Sequence, residues 1–183
     1  TGDDWVARAL ALAPLTEKYR DEGEAQRKLP QKLFEAMRDA GLFHLWVPRA
    51  YGGAEVDLAT KVRVTEEVSR QDGAAGWNVM IGGNTAILWG FMNEAVARGI
   101  FDADPNSVIA GTILATHGRA TKVPGGYRIN GKWPLASGCH HANWMATAGF
   151  IYDDDGKPKI GPDGPPEPHA FFVPIPACQL LAT

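Results

Sequence analysis

The 183-residue sequence predicts an α+β fold with segregated layers: an N-terminal all-helical domain over residues 1–104, then an antiparallel β-domain over residues 105–183. Three observations predict it. Apolar residues recur at helical spacing as far as Phe101, and beyond a break at residues 102–107 they alternate instead. Helices and strands are not interleaved, and neither GxGxxG nor a GxxxxGKS/T loop occurs, which excludes a doubly wound nucleotide-binding sheet.

In chain order, Trp5, Ala9 and Leu12 begin the first amphipathic stripe. Pro30 stands where the first turn of a helix tolerates proline, Leu33, Met37 and Ala40 share a face, and Gly41 is the stop. Asp57 can cap a third helix with Leu58, Val62, Thr65 and Val68 as its apolar positions. Residues 73–91 are apolar or small nearly all round, which predicts a buried central helix whose glycines permit close helix contact. Asn93 caps a short helix ending near Phe101. Residues 108–114, 119–123, 127–135, 144–152 and 169–174 read as strands, with turns at Pro124-Gly125-Gly126 and at 153–158. Residues 158–168, rich in proline and glycine, read as an exposed loop.

Composition narrows the function classes. A hydrophobic content of 45% supports one domain with a real core, or two small ones. The net charge of −3 and the lack of any Lys/Arg run argue against nucleic acid as a partner. The most apolar stretch, residues 79–92, is interrupted by Gly82, Gly83, Asn84 and Gly90, so a membrane span is not expected. The N-terminus lacks the basic-then-apolar order of a signal peptide. Cys139 and Cys178 are too few for a disulfide framework and read as free thiols in a reducing cytoplasm. Three consecutive residues such as Cys139, His140 and His141 cannot converge on one tetrahedral ion, so no metal is expected there. Asp153-Asp154-Asp155-Gly156 looks like half of a calcium loop but lacks the distal glutamate, and a charged turn explains it.

The most informative segment is Gly125 to Trp144. Gly125-Gly126 supplies a tight turn, and Tyr127, Ile129 and Trp133 fall on one side of an alternating run. Ala136, Ser137 and Gly138 then remove side-chain bulk at one place, leaving a hydroxyl and backbone amides as its polar equipment. Such a patch can lie flat against a planar ligand.

Gly126-Tyr127, Asn130-Gly131-Lys132-Trp133, Ser137-Gly138, Ala142 and Trp144 together resemble the central β-domain of the acyl-CoA dehydrogenase superfamily of flavoproteins. Upstream, Gly41-Leu42-Phe43, Val47-Pro48 and Tyr51-Gly52-Gly53 are similar to the loop between that family's early helices, and Glu66-Glu67 through Ala75–Trp77 to its next helix pair. The resemblance implies a flavin, FAD or FMN, held by the β-domain as part of a sandwich or barrel. It also implies that a complete member continues into a C-terminal helical bundle that closes over the flavin and mediates homo-oligomerisation; that bundle is missing here, and this stretch alone is expected to be inactive. Residues 112–120, Thr-Ile-Leu-Ala-Thr-His-Gly-Arg-Ala, depart from the dehydrogenases' Thr-Glu-Pro and Gly-Ser-Asp runs. With Ala136–Gly138 and His141–Trp144 they are more similar to the two-component monooxygenase branch. Members of that branch take reduced flavin from a separate reductase and use oxygen on an aromatic or heterocyclic small-molecule substrate.

A flavin ring needs apolar walls and a few amides or hydroxyls along one rim. On the resemblance, Ser137 is the leading candidate for a hydroxyl near the reactive flavin nitrogen, with Trp133 packing close by, and Thr112 and Gly118 lie on the other flavin-facing segment. That branch often carries a histidine near the place of Asn84, which cannot act as a base. His117 and His141 therefore stand as candidates for proton transfer beside Ser137. Two other readings use the same residues: a flavin-free acyl or lipid binding module lined by Trp46, Trp77, Trp89 and Phe91, or an interaction fragment with an unpaired β edge.

Overall fold

The computed structural model describes residues 1–153, 155–162 and 164–181, so Asp154 of the acidic turn lies outside the described residues. The chain divides into two compact units, Thr1–Ile109 with His140–Ala142, and Ala110–Cys139 with Asn143–Thr183.

The first unit is helical, with α1 (Gly2–Leu10), α2 (Ala13–Gln26), α3 (Gln31–Asp39), α4 (Leu58–Gln71), α5 (Gly73–Thr85) and α6 (Glu94–Ala103). The stripe opened by Trp5 is broken after α1, because Pro14 belongs in the first turn of a new helix. Pro30 is the N-cap of α3 rather than a first-turn residue. Gly41 adopts a φ of +81°, its N–H reaches the Arg38 carbonyl at 2.8 Å and that of Leu42 reaches Met37 at 3.1 Å, which closes α3. The caps follow the sequence: Asp57 accepts from Thr60 N–H at 2.9 Å, Asp72 from Ala75 N–H at 2.7 Å, and Asn93 from Ala95 N–H at 3.1 Å. Each satisfies an otherwise orphaned donor, an effect of about 1 kcal/mol.

Two helices differ from their expected faces. In α4 the buried positions are Thr60, Lys61, Val64, Glu67 and Val68, whereas Leu58 and Val62 are 63% and 55% exposed. The face is rotated because Lys61 meets tertiary partners, Asn84 and the Trp46 ring, while Glu67 is satisfied within its own helix by Arg70 and Gln71. The expected central helix ends as an α-helix at Thr85 and continues as a 3-10 segment, Ala86–Phe91. Only one side of it is buried, through Ala75, Gly76, Val79, Gly82, Gly83 and Trp89, while Trp77 and Phe91 are exposed. Its glycines do permit close contact. A Cβ on Gly76 would stand 2.1 Å from Ser69 Oγ of α4, and one on Gly82 would stand 2.7 Å from the Phe43 ring. The core beneath them is Phe34, Met37, Leu42, Leu45, Val64 and Val79; burying such side chains contributes roughly 1.5–3 kcal/mol each.

The second unit is built on a sheet of β1 (Ile109–Thr112), β2 (Gly118–Val123), β3 (Gly126–Gly131), β4 (Trp144–Tyr152) and β5 (Pro168–Pro174). It is mixed rather than purely antiparallel. β2/β3 and β4/β5 are antiparallel, but β2 runs parallel to β4 over Arg119–Thr121 and Phe150–Tyr152. β4 is the hub, pairing with β1, β2 and β5, and its run Met145–Gly149 is buried on both faces, as a central strand of small and apolar residues should be. The β2–β3 turn is Pro124-Gly125, with Gly125 at φ +81°, where proline pre-sets the first corner and glycine takes the left-handed second. β3 ends at Gly131, not at Leu135, because the chain there turns its side chains back onto its own sheet.

Candidate functional site

The pairing Gly118↔Gly131 at the end of the β2–β3 ladder brings two segments out of the sheet together: residues 113–117 leading into β2, and residues 132–138 leaving β3. Trp133 anchors the second. Its indole lies across both glycines, where a Cβ would stand 2.8 Å (Gly118) or 2.7 Å (Gly131) from the ring, and its N–H donates to the Ala148 carbonyl of β4 at 2.8 Å. Gly118 therefore serves packing, since any side chain there would also meet Ala148 O at 2.2 Å.

Beyond the anchor, Leu135 has a φ of +57° and Gly138 one of +81°. A leucine in the left-handed region is uncommon and strained, and such strain gathers at ligand sites. The Ser137 N–H closes back on the Leu135 carbonyl at 2.9 Å, fixing a tight turn with the Ser137 side chain half-buried. In the facing segment Thr112 is half-buried at the end of β1, and His117 is exposed on a short 3-10 turn. Around these polar groups Ile113, Leu114 and Leu135 are 71%, 43% and 83% exposed. One end of the ladder thus offers apolar surface, a hydroxyl and a rigid glycine-rich backbone, the chemistry an isoalloxazine ring requires. The residues fit a flavin.

His141 stands elsewhere. It belongs with the helical unit, where its ring stacks on Phe34 at a centroid distance of 4.9 Å and an interplanar angle of 21°. Both ring nitrogens are buried and lack a hydrogen-bond partner among the described residues. Burial, with His140 and Lys28 nearby, pushes its pKa down to about 4, so the imidazole is neutral at pH 7. His140 and His141 lie in a turn and not in a strand.

Of the four aromatic residues proposed to line an apolar pocket, Trp89 is fully buried and packs on Phe101, while Trp77 and Phe91 face outward. Trp46 lines a cleft of about 450 Å³ bounded by Leu58, Lys61, Val62, Thr65, Glu66, Ser69, Met80 and Asn84. The sequence reading passed over Lys61 in favour of Leu58 and Val62. The available signal was its shared spacing with Val64 and Val68, masked by the charges at Lys61 and Glu67.

Residues 5–99 match the family model for the acyl-CoA dehydrogenase N-terminal domain. The chain belongs to the acyl-CoA dehydrogenase superfamily. Within that superfamily it is 30% identical over 175 residues to the oxygenase component of an FADH2-dependent resorcinol hydroxylase of Rhizobium sp. strain MTP-10005, covering 95% of this chain and 40% of that protein. It is 32% identical over 141 residues to an indole-3-acetate monooxygenase of Pseudomonas putida, covering 72% and 36%. The fold superposes with a TM-score of 0.86 and 27% identity on XiaF from Streptomyces sp., solved in complex with FADH2 and glycerol, over 96% of this chain and 42% of that one. The chain spans about two fifths of the length of these relatives.

Proposed function

We propose that the full-length protein is the oxygenase component of a two-component flavin-dependent monooxygenase that hydroxylates a small aromatic or heterocyclic compound. The observation that carries this reading is the end of the β2–β3 ladder, where Ser137 and exposed apolar residues stand on a backbone locked by Trp133. The monooxygenase relatives support it, as does the segment 112–120, which lacks the dehydrogenases' acidic run.

The chemistry a bound reduced flavin supplies is the activation of dioxygen. This chain's own residues bind and orient. With flavin bound, Ser137 would donate its hydroxyl on the side of the reactive nitrogen, and Thr112 would offer a second hydroxyl to the polar rim. Gly118 and Trp133 keep the supporting backbone flat and close. Ile113, Leu114 and Leu135 exclude water from that face. On the β unit, exposed His117 is the proposed proton-transfer group open to solvent. On the helical unit, His141 is the second, a neutral imidazole whose nitrogens await a partner. The relatives associated with FADH2 favour FAD over FMN. The reading further entails a separate flavin reductase as partner, a homo-oligomeric full-length enzyme and a cytoplasmic location, in keeping with the two free thiols. Among the described residues no helix is long and apolar enough to cross a membrane.

The test supplies the full-length protein with chemically reduced FAD, labelled dioxygen and a panel of phenols and indoles. Label appearing in a hydroxylated product supports the reading. Oxidation of an acyl thioester by the same protein with no label transferred, or failure to bind flavin at all, overturns it.

A further inference from the structure

The Lys61 side chain is buried in the helical unit, the residue being only 4% exposed, and no acidic residue among those described forms an ion pair with it. Its ammonium has three donors. One goes to Asn84 Oδ1, and the Trp46 ring faces the cation at 4.4 Å from the centroid. Gly83 lies alongside the lysine stem, where a Cβ would make ordinary van der Waals contact with Lys61 Cε at 3.4 Å. Buried charges are normally neutralised by a partner, because desolvating an ion without one is expensive. An amide oxygen and an indole face relieve that cost only in part. Burial accordingly lowers the lysine's pKa, the direction that a bound anion would reverse. Glu66, the acidic residue in the cleft wall, pairs with Arg70 at 3.3 Å.

The lysine does not sit in a closed core. It lines the 450 Å³ cleft whose other walls are Trp46, Met80, Leu58 and Val62, with Thr65 as a hydroxyl donor; the Ser69 hydroxyl is already committed to the Thr65 carbonyl at 2.7 Å. A volume of that size suits a one- or two-ring molecule. We propose that this cleft binds a small aromatic carboxylate, the carboxylate pairing with Lys61 Nζ and the ring lying against Trp46, Met80 and the Leu58 and Val62 side chains. A cation without a counter-ion selects the carboxylate; an indole and a thioether select the ring. The inference goes beyond the hydroxylase reading and does not depend on it, since the binding needs no flavin.

The experiment is calorimetric titration of the flavin-free full-length protein at pH 7 with phenylacetate and with its neutral isostere phenylacetamide. The expected result is a preference for phenylacetate of at least about tenfold, the size of one charge-assisted contact, abolished in Lys61→Met while weak amide binding persists. Lys61→Met removes an uncompensated buried charge and should hold or raise the melting temperature; Lys61→Gln, of similar length, serves as the second variant and should lose the preference equally. Equal affinity for the two ligands, a preference surviving both substitutions, or no saturable binding of either ligand overturns the proposal. The last outcome would mean that another part of the protein already fills the cleft.

Discussion

At Ser137 the backbone turn positions the hydroxyl: the Ser137 N–H closes on Leu135, and Leu135 itself bears the left-handed strain. Because the turn is fixed from behind by Trp133, Ser137→Ala should leave the fold intact and remove only a donor. For one preorganised donor the loss in turnover is on the order of 10²-fold. Flavin affinity and product formation measured together check this, and an unchanged turnover would remove Ser137 from the site. Trp133→Phe should act differently, because its N–H to Ala148 bond is structural. A loss of about 1 kcal/mol from that bond is expected in urea titration, together with weakened flavin binding.

The elements of the β unit depend on close backbone approach at the ladder end. Gly131→Ala would place a methyl 2.2 Å from the His117 carbonyl and 2.7 Å from the Trp133 ring, so β2, β3 and the anchor cannot all keep their places. The expected destabilisation is about 2–3 kcal/mol, typical of overpacking, and should be visible as a lowered urea midpoint. In the helical unit Asp72 caps α5 through Ala75 N–H at 2.7 Å. Asp72→Ala should lower stability by about 1 kcal/mol, and Asp72→Ser should recover most of it.

For the molecule as a whole, two half-buried histidines set the acid limb of stability. His44 donates from Nε2 to the Ser107 carbonyl at 2.8 Å, and burial lowers its pKa; His141 is lowered from 6.5 to about 4. Between those values the unfolded chain binds protons that the folded chain refuses, so stability is full above about pH 6.5 and falls as pH drops towards 4. For His141 the loss is on the order of 1–2 kcal/mol, allowing for solvent screening of a half-buried ring. His141→Phe should flatten that slope in thermal melts taken from pH 7 to pH 4, and an unchanged slope would show that the ring is solvated when folded.

Local chemistry made much of this legible in advance. Asp57 and Asn93 cap helices, Gly41 ends one, and Pro124-Gly125 turns a hairpin, because each acts through its own backbone within a few residues. The helix-then-strand order followed from the change of periodicity, and the strand placement of residues 144–152 from the turn residues that bound it. Long-range decisions were not legible. The parallel pairing of β2 with β4 joins residues about thirty apart in sequence, and no local pattern encodes a partner's direction. The face of α4 turned on Trp46 and Asn84, which accept a lysine that an amphipathic wheel assigns to solvent. The end of β3 at Gly131 depended on Trp133 finding the Ala148 carbonyl across the sheet. Sequence by itself determined the caps and turns that act within a few residues, and which superfamily they spell. Only the tertiary structure decided which side chains are buried with their charges, because burial depends on neighbours brought from far along the chain.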